Sequence, residues 1–270
     1  MSDEYSLSKK ALAEFLGTFS IVFFGAGAVT IDLMTAPSGV GGTYVLEGLG
    51  HGALGWMGIA FAFWVAIAVP IYVFGRISGQ HINPAVTVAL WLTDRIDNRS
   101  AATYIGAQFA GGIAGGIVFT LIRGTEAVTI GSMGATAPFP GVEPWQAALT
   151  EAVITFFLMV TIMAVAVDKR GPSELAGLII GLVIAGGVVT TGNISGASFN
   201  PARTIGPYVT NTAFGGPDLW AHAWIYIAGP LVGAIAGVYC YQYLVGVDAV
   251  DEPEPEQTPE KPPGEATAAE

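Results

Sequence analysis

Charge is scarce in this sequence. Only 11% of its 270 residues are Asp, Glu, Lys or Arg, and Lys and Arg together number 10. So few basic residues leave no basic patch, which excludes nucleic acid as a partner. Cysteine is nearly absent, since Cys240 stands alone, and no intramolecular disulfide can form. With 3 histidines and that one cysteine scattered along the chain, neither a metal cluster nor a nucleophile–base pair can be assembled. An enzyme is therefore not expected, and neither a cofactor nor a metal is expected. No cleavable leader is expected either. Lys9 and Lys10 precede an apolar run from Ala11 to Ile31, which is too long for the apolar stretch of a signal peptide. It reads as a first spanning helix.

What the sequence has instead is apolar surface. It is 52% hydrophobic, with a mean hydropathy of +0.59, a composition that needs a bilayer to bury it. The formal net charge of −11 is concentrated at the end. From Asp248 onward there are eight acidic residues and one lysine, in a Glu- and Pro-rich tail expected to be disordered. Apolar periods predict six spanning helices, near 10–31, 51–74, 100–122, 145–167, 173–191 and 221–245. A long acidic, Gly-rich loop from Asp32 to about Gly50 separates the first two.

Between the second and third spans lies Ser78-Gly79-Gln80-His81-Ile82-Asn83-Pro84-Ala85-Val86-Thr87. After the fifth comes Ser195-Gly196-Ala197-Ser198-Phe199-Asn200-Pro201-Ala202-Arg203-Thr204. Ser-Gly, Asn-Pro-Ala and the final Thr are shared. Asn is a good N-cap, and Pro suits the first helical position, where its missing N–H is no loss. Each copy therefore starts a helix. Polar residues follow each Asn too soon for the ~20 apolar residues a crossing needs, so these are half-helices, over 83–93 and 200–210. The rest of the chain repeats too. Glu14 answers Glu151, Tyr104 answers Tyr226, and Gly111 with Gly115 answers Gly233 with Gly237. Those glycine pairs are small-residue faces for close helix packing.

Each half holds three spans, an odd number, so the second half enters the membrane from the opposite side, as an inverted repeat. The expected fold is an all-α membrane protein of six transmembrane helices plus two re-entrant half-helices. The expected boundaries are a cytoplasmic lead over 1–8, a first repeat over 9–125, an outer connecting loop over 126–144, a second repeat over 145–247 and the acidic cytoplasmic tail over 248–270. Lys9, Lys10, Arg76, Arg95, Arg99, Lys169, Arg170 and Lys261 fall on one face, which places both termini in the cytoplasm.

With this topology the N-termini of the two half-helices meet at the midplane. Non-helical backbone at that depth must be buried or line a watery path. The backbone carbonyls of Gly79, Gln80, His81, Gly196, Ala197 and Ser198 would line one wall, and the amides of Asn83 and Asn200 would supply donors at the centre. Two positive helix ends facing one point repel cations. The result is a narrow polar path, hostile to protons and ions.

The duplicated Asn-Pro-Ala (Asn83, Pro84, Ala85; Asn200, Pro201, Ala202), each behind Ser-Gly, with Ala13-Glu14-Phe15 in the first span and Arg203 after the second copy, resembles the aquaporin, or major intrinsic protein, family over about residues 9–247. The aliphatic fifth-span residue and Asn193-Ile194-Ser195-Gly196 are most similar to its archaeal-type members. The resemblance implies one pore per subunit, a homotetramer in the cell membrane, and a selectivity filter of Phe63, Val188, Ala197 and Arg203. It also implies that Glu14 and Glu151 support the re-entrant segments rather than relay protons. Strict water channels of the family have His where Val188 stands. Glycerol facilitators have two aromatics, and an acid where Thr204 stands. This chain matches neither pattern.

The resemblance therefore implies a passive, osmotically driven channel for water that passes glycerol or other small neutral solutes more slowly. A glycerol facilitator is the alternative. A secondary transporter is a more distant one, since it would need a coupling-ion site that the sequence does not show. His81 is expected to be packed and hydrogen-bonded. His51 and His222 are expected at helix ends, and Cys240 away from the filter.

Overall fold

The computed structural model describes residues 5–37 and 48–246. The tail from 248, residues 1–4 of the lead and the middle of the first outer loop lie outside the described residues. Among the described residues, six helices are long and apolar enough to cross a membrane. They are α1 (Leu7–Thr35), α2 (Gly55–Ser78), α4 (Asn98–Arg123), α5 (Pro144–Val167), α6 (Ser173–Ser195) and α8 (Trp220–Val245). Two shorter helices, α3 (Pro84–Leu92) and α7 (Pro201–Phe214), follow α2 and α6.

Local chemistry ends and begins these elements at the re-entrant segments. Gly79 and Gly196 close α2 and α6 in the left-handed region, with φ of 86° and 83°. Their N–H groups donate to the carbonyls of Gly75 and Gly192 at 2.8 and 3.0 Å, the C-cap that glycine adopts most easily. Asn83 and Asn200 then cap α3 and α7, and Pro84 and Pro201 take the first helical position.

Small residues bring the spans together. A Cβ at Gly111 would lie 2.2 Å from the Phe15 carbonyl, and one at Gly115 2.8 Å from that of Phe19, so α4 presses directly on α1. In the second half, Gly233 and Gly237 stand in the same way against the Ala152 and Phe156 carbonyls of α5, at 2.1 and 2.7 Å. Lipid tails are as apolar as leucine, so this backbone-to-backbone contact, rather than the hydrophobic effect, holds such helices together. A further close approach, of Gly112 to the Ala202 carbonyl at 2.6 Å, packs α4 of the first half onto α7 of the second.

Several boundaries differ from the sequence expectation. Instead of stopping at 31, α1 continues to Thr35, because Asp32 is not a solvated loop residue. It is fully buried and receives the N–H groups of Gly50, Leu54 and Gly55 at 2.6, 3.2 and 2.8 Å. That cap also explains why α2 starts at Gly55 rather than 51, and it runs on to Ser78 because Gly79 is its stop signal. Ser195 ends α6 for the same reason. Finally, α7 extends to Phe214 rather than 210, because Asn211 is not a polar exit. It is buried and donates from Nδ2 to the Ser132 carbonyl at 2.9 Å. The connecting segment also contains a short helix, Glu126–Thr129, and a 3₁₀ turn, Ser132–Gly134.

Candidate functional site: a channel through the repeat interface

The two re-entrant segments share an unusual backbone. Gln80 and Ile82 have φ of 47° and 44°, and Ala197 and Phe199, at the matching positions, have 46° and 59°. For non-glycine residues each such conformation costs about 1–3 kcal/mol, and it persists only where the surroundings impose it. The imposing groups are two buried carboxylates. Glu14 accepts from the His81 N–H at 3.0 Å, the Ile82 N–H at 2.6 Å, Ser78 Oγ at 2.6 Å and Gln108 Nε2 at 2.9 Å. Glu151 accepts from the Ser198 N–H at 2.9 Å, the Phe199 N–H at 2.8 Å and Ser195 Oγ at 2.7 Å. Tyr104 and Tyr226 tie in the preceding residue, donating from their hydroxyls to the Ser78 and Ser195 carbonyls at 2.9 and 2.7 Å.

The halves are stitched at the centre. Asn83 Oδ1 accepts from the Ala85 N–H at 2.9 Å, and its Nδ2 donates to the Phe199 carbonyl at 2.8 Å. Asn200 Oδ1 accepts from the Ala202 N–H at 2.9 Å, and its Nδ2 donates to the Ile82 carbonyl at 2.7 Å. Ile82 and Phe199 thus each bond to a buried carboxylate through the N–H and receive the asparagine of the other half through the carbonyl. An amide NH₂ carries two protons. Among the described residues the second proton of each asparagine has no acceptor.

A cavity of about 650 Å³ reaches this point. Its lining includes the charged residues Lys10, Arg76, Arg95 and Asp97. Its wall also includes Gly79, Gln80 and His81, Asn83 and Asn200, and Ala197 with Ser198. Phe63 is the remaining filter candidate on the wall, while Gly196, Val188 and Arg203 are not part of it. Arg203 and Val188 lie almost completely buried, at 1% and 2% exposure. The Arg203 guanidinium carbon stands 5.0 Å from the centroid of the Phe63 ring. Its Nη1 donates to the Gly134 carbonyl at 2.8 Å, while its Nε is buried without a hydrogen-bond partner.

His81 packs edge-on against Tyr104 and its Nδ1 lies 3.2 Å from Thr87 Oγ1. Cys240 sits in α8 and is not on the cavity wall. His51 precedes α2, and His222 lies at the start of α8.

Sequence reasoning missed the part played by the connecting segment. Tyr208 donates to the Thr136 carbonyl at 2.7 Å, Thr204 Oγ1 lies 2.8 Å from Thr136 Oγ1 and 2.7 Å from Ser198 Oγ, and Gly134 holds Arg203. Residues 132–136 are therefore clamped along α7. Nothing local in the sequence marks that contact. The tyrosine pair was different, because the repeat itself singled out Tyr104 and Tyr226.

Two half-helices that abut at their N-termini inside a bundle of apolar spans, with strained carbonyl-bearing backbone on a cavity wall, define a multi-pass membrane protein built around a transmembrane path. The model of the major intrinsic protein family matches residues 1–241. The chain is 51% identical over 241 residues to aquaporin AqpM of Methanothermobacter marburgensis, covering 88% of this chain and 98% of that protein. It is 50% identical over 241 residues to the probable aquaporin AqpM of Archaeoglobus fulgidus, with the same coverage. The fold is also that of the aquaglyceroporin of Plasmodium falciparum. The TM-score is 0.74 over 90% of this chain and 99% of that one, at 22% identity. The chain belongs to the major intrinsic protein family.

Proposed function

We propose that the protein is a passive channel for water, driven by osmotic gradients, that excludes protons and ions and admits glycerol or small neutral solutes more slowly. The observation that carries this reading is the junction of α3 and α7. Two helix N-termini and two spare amide protons converge on one point of the path, a site that favours a neutral, lone-pair-bearing solute and repels a cation. Membership of a family whose relatives are aquaporins supports it. The buried carboxylates do not provide a coupling-ion site, because each already accepts three or more hydrogen bonds from the protein.

Beyond the junction, Phe63, Val188, Ala197 and Arg203 form the selectivity filter. Arg203 is its fixed cation and donor, and Val188 adds bulk without a second donor. The protein resides in the cell membrane with both termini cytoplasmic, supported by the one-sided placement of Lys and Arg. It assembles as a homotetramer, which family membership supports.

The test is stopped-flow light scattering of proteoliposomes, first with an impermeant osmolyte and then with glycerol. Shrinkage in the impermeant osmolyte much faster than in protein-free liposomes is expected, followed in glycerol by slower swelling that still exceeds the control. Water permeability no greater than the control would overturn the channel reading.

A further inference from the structure

Between Ile21 and Ala26 the first span widens into a π turn. Such a turn swells the helix locally and is frequent at functional sites. Here it lies against Phe63 and against Gly134, the residue that holds Arg203. A Cβ at Gly25 would fall 2.5 Å from Cδ1 and Cε1 of Phe63, so the aromatic ring is seated on bare backbone. At the end of the same turn, the Ala26 carbonyl would lie 2.1 Å from a Cβ at Gly134. Gly134 is the residue whose own carbonyl accepts the Arg203 hydrogen bond. Ile21, at the start of the turn, is on the cavity wall.

We propose that the π turn Ile21–Ala26 is the seat that sets the gap between Phe63 and Arg203, and that Gly25 is a specificity-determining residue for the size of neutral solute admitted. The proposal rests on the reading of Phe63 and Arg203 as the constriction. The ring touches α1 at Gly25 and stands under the Arg203 guanidinium, and at 3% exposure the open space it borders is the cavity itself. Apolar atoms pack at ~3.5–4.0 Å, so a methyl group at position 25 displaces the ring by about 1 Å, away from α1 and into the solute path. A larger solute loses more than water does.

The experiment compares Gly25→Ala, Phe63→Ala and the double variant in proteoliposomes, reading the glycerol-to-water permeability ratio. One methylene in a pocket discriminates by roughly tenfold or more, so Gly25→Ala should lower the ratio by about that factor. Phe63→Ala should raise it. The double variant should match Phe63→Ala, because the methyl then has no ring to push. If wild-type protein passes water alone, the same displacement is read as a fall in water permeability.

An unchanged ratio in Gly25→Ala beside a raised one in Phe63→Ala overturns the seat and leaves the constriction standing. No change in Phe63→Ala overturns the constriction itself. A loss in Gly25→Ala that persists in the double variant overturns the proposal in favour of general distortion. If Gly25→Ala does not fold, the double variant is expected to fold, and its failure would show that the methyl clashes with something other than Phe63.

Discussion

Replacing Glu151 with alanine tests the whole support of the second re-entrant segment. The substitution strips the acceptor from two buried N–H groups, those of Ser198 and Phe199, and from the Ser195 hydroxyl. The hydroxyl can turn to another acceptor, but the amides cannot. Each unsatisfied buried amide costs about 1–3 kcal/mol, so the intact conformation loses roughly 2–6 kcal/mol. Relaxation gains energy in the other direction, because Ala197 and Phe199 are held at positive φ, a strain of about 1–3 kcal/mol each. Both terms favour abandoning the native backbone. The Phe199 carbonyl would then leave Asn83 Nδ2, so the damage crosses into the other half of the channel. Glu151→Gln keeps one oxygen for Ser195 and Ser198 but sets its NH₂ against the Phe199 N–H, for a penalty of one amide, about 1–3 kcal/mol. Water permeability per channel in proteoliposomes and thermal unfolding in detergent should both rank wild type above Gln above Ala, with Ala at least roughly tenfold down in permeability, the factor that 1.4 kcal/mol corresponds to. A Glu151→Ala protein with wild-type permeability and an unshifted unfolding midpoint would refute the view that this carboxylate imposes the strained backbone.

Three further outcomes follow from other parts of the structure. Val188→His adds a donor and bulk at the proposed filter, so the glycerol-to-water ratio in stopped-flow swelling should fall, and an unchanged ratio would remove Val188 from it. Asp32→Ala frees three backbone N–H groups between Gly50 and Gly55; these contacts are only part-buried, so water replaces much of the lost bonding, and thermal unfolding should register a loss of about 1–3 kcal/mol in total while water permeability per folded channel stays near wild type. At the turn after α5, hydrogen bonds from the Arg170 guanidinium hold the Asp168 carboxyl well below the usual carboxylate range, and the Tyr241 hydroxyl donates to it as well. A depressed carboxyl contributes stability above its unfolded value, about 3.9, and loses it as the pH falls. The midpoint gap between wild type and Asp168→Asn should therefore be constant from neutral pH down to about pH 5 and shrink below about pH 4.

What was legible in the sequence was what local chemistry determines. Asn followed by Pro specifies a cap and a first helical residue wherever it occurs, so α3 and α7 were readable to within a few residues. The repeat extended that reach. It linked Glu14 to Glu151 and Tyr104 to Tyr226 before any contact was known, and both pairs turn out to bond to matching positions of the two re-entrant segments. Polarity was the misleading signal. Asp32 and Asn211 read as exits from the membrane, yet each is a buried side chain bonded to a backbone far away in sequence. The π turn in α1 and the clamp of residues 132–136 on α7 had no local signature, because their causes are tertiary: bare backbone at Gly25 beside the Phe63 ring, and a carbonyl at Gly134 aimed at Arg203. The division has a physical basis. Paired amides and strained carbonyls make a path for water, and they need the same backbone twice, so duplication exposes them. Selection among solutes needs the two ends of the path to differ. The residues we assign to it, Phe63, Val188, Ala197 and Arg203 with their supports, therefore break the repeat, and only the folded structure shows what they touch.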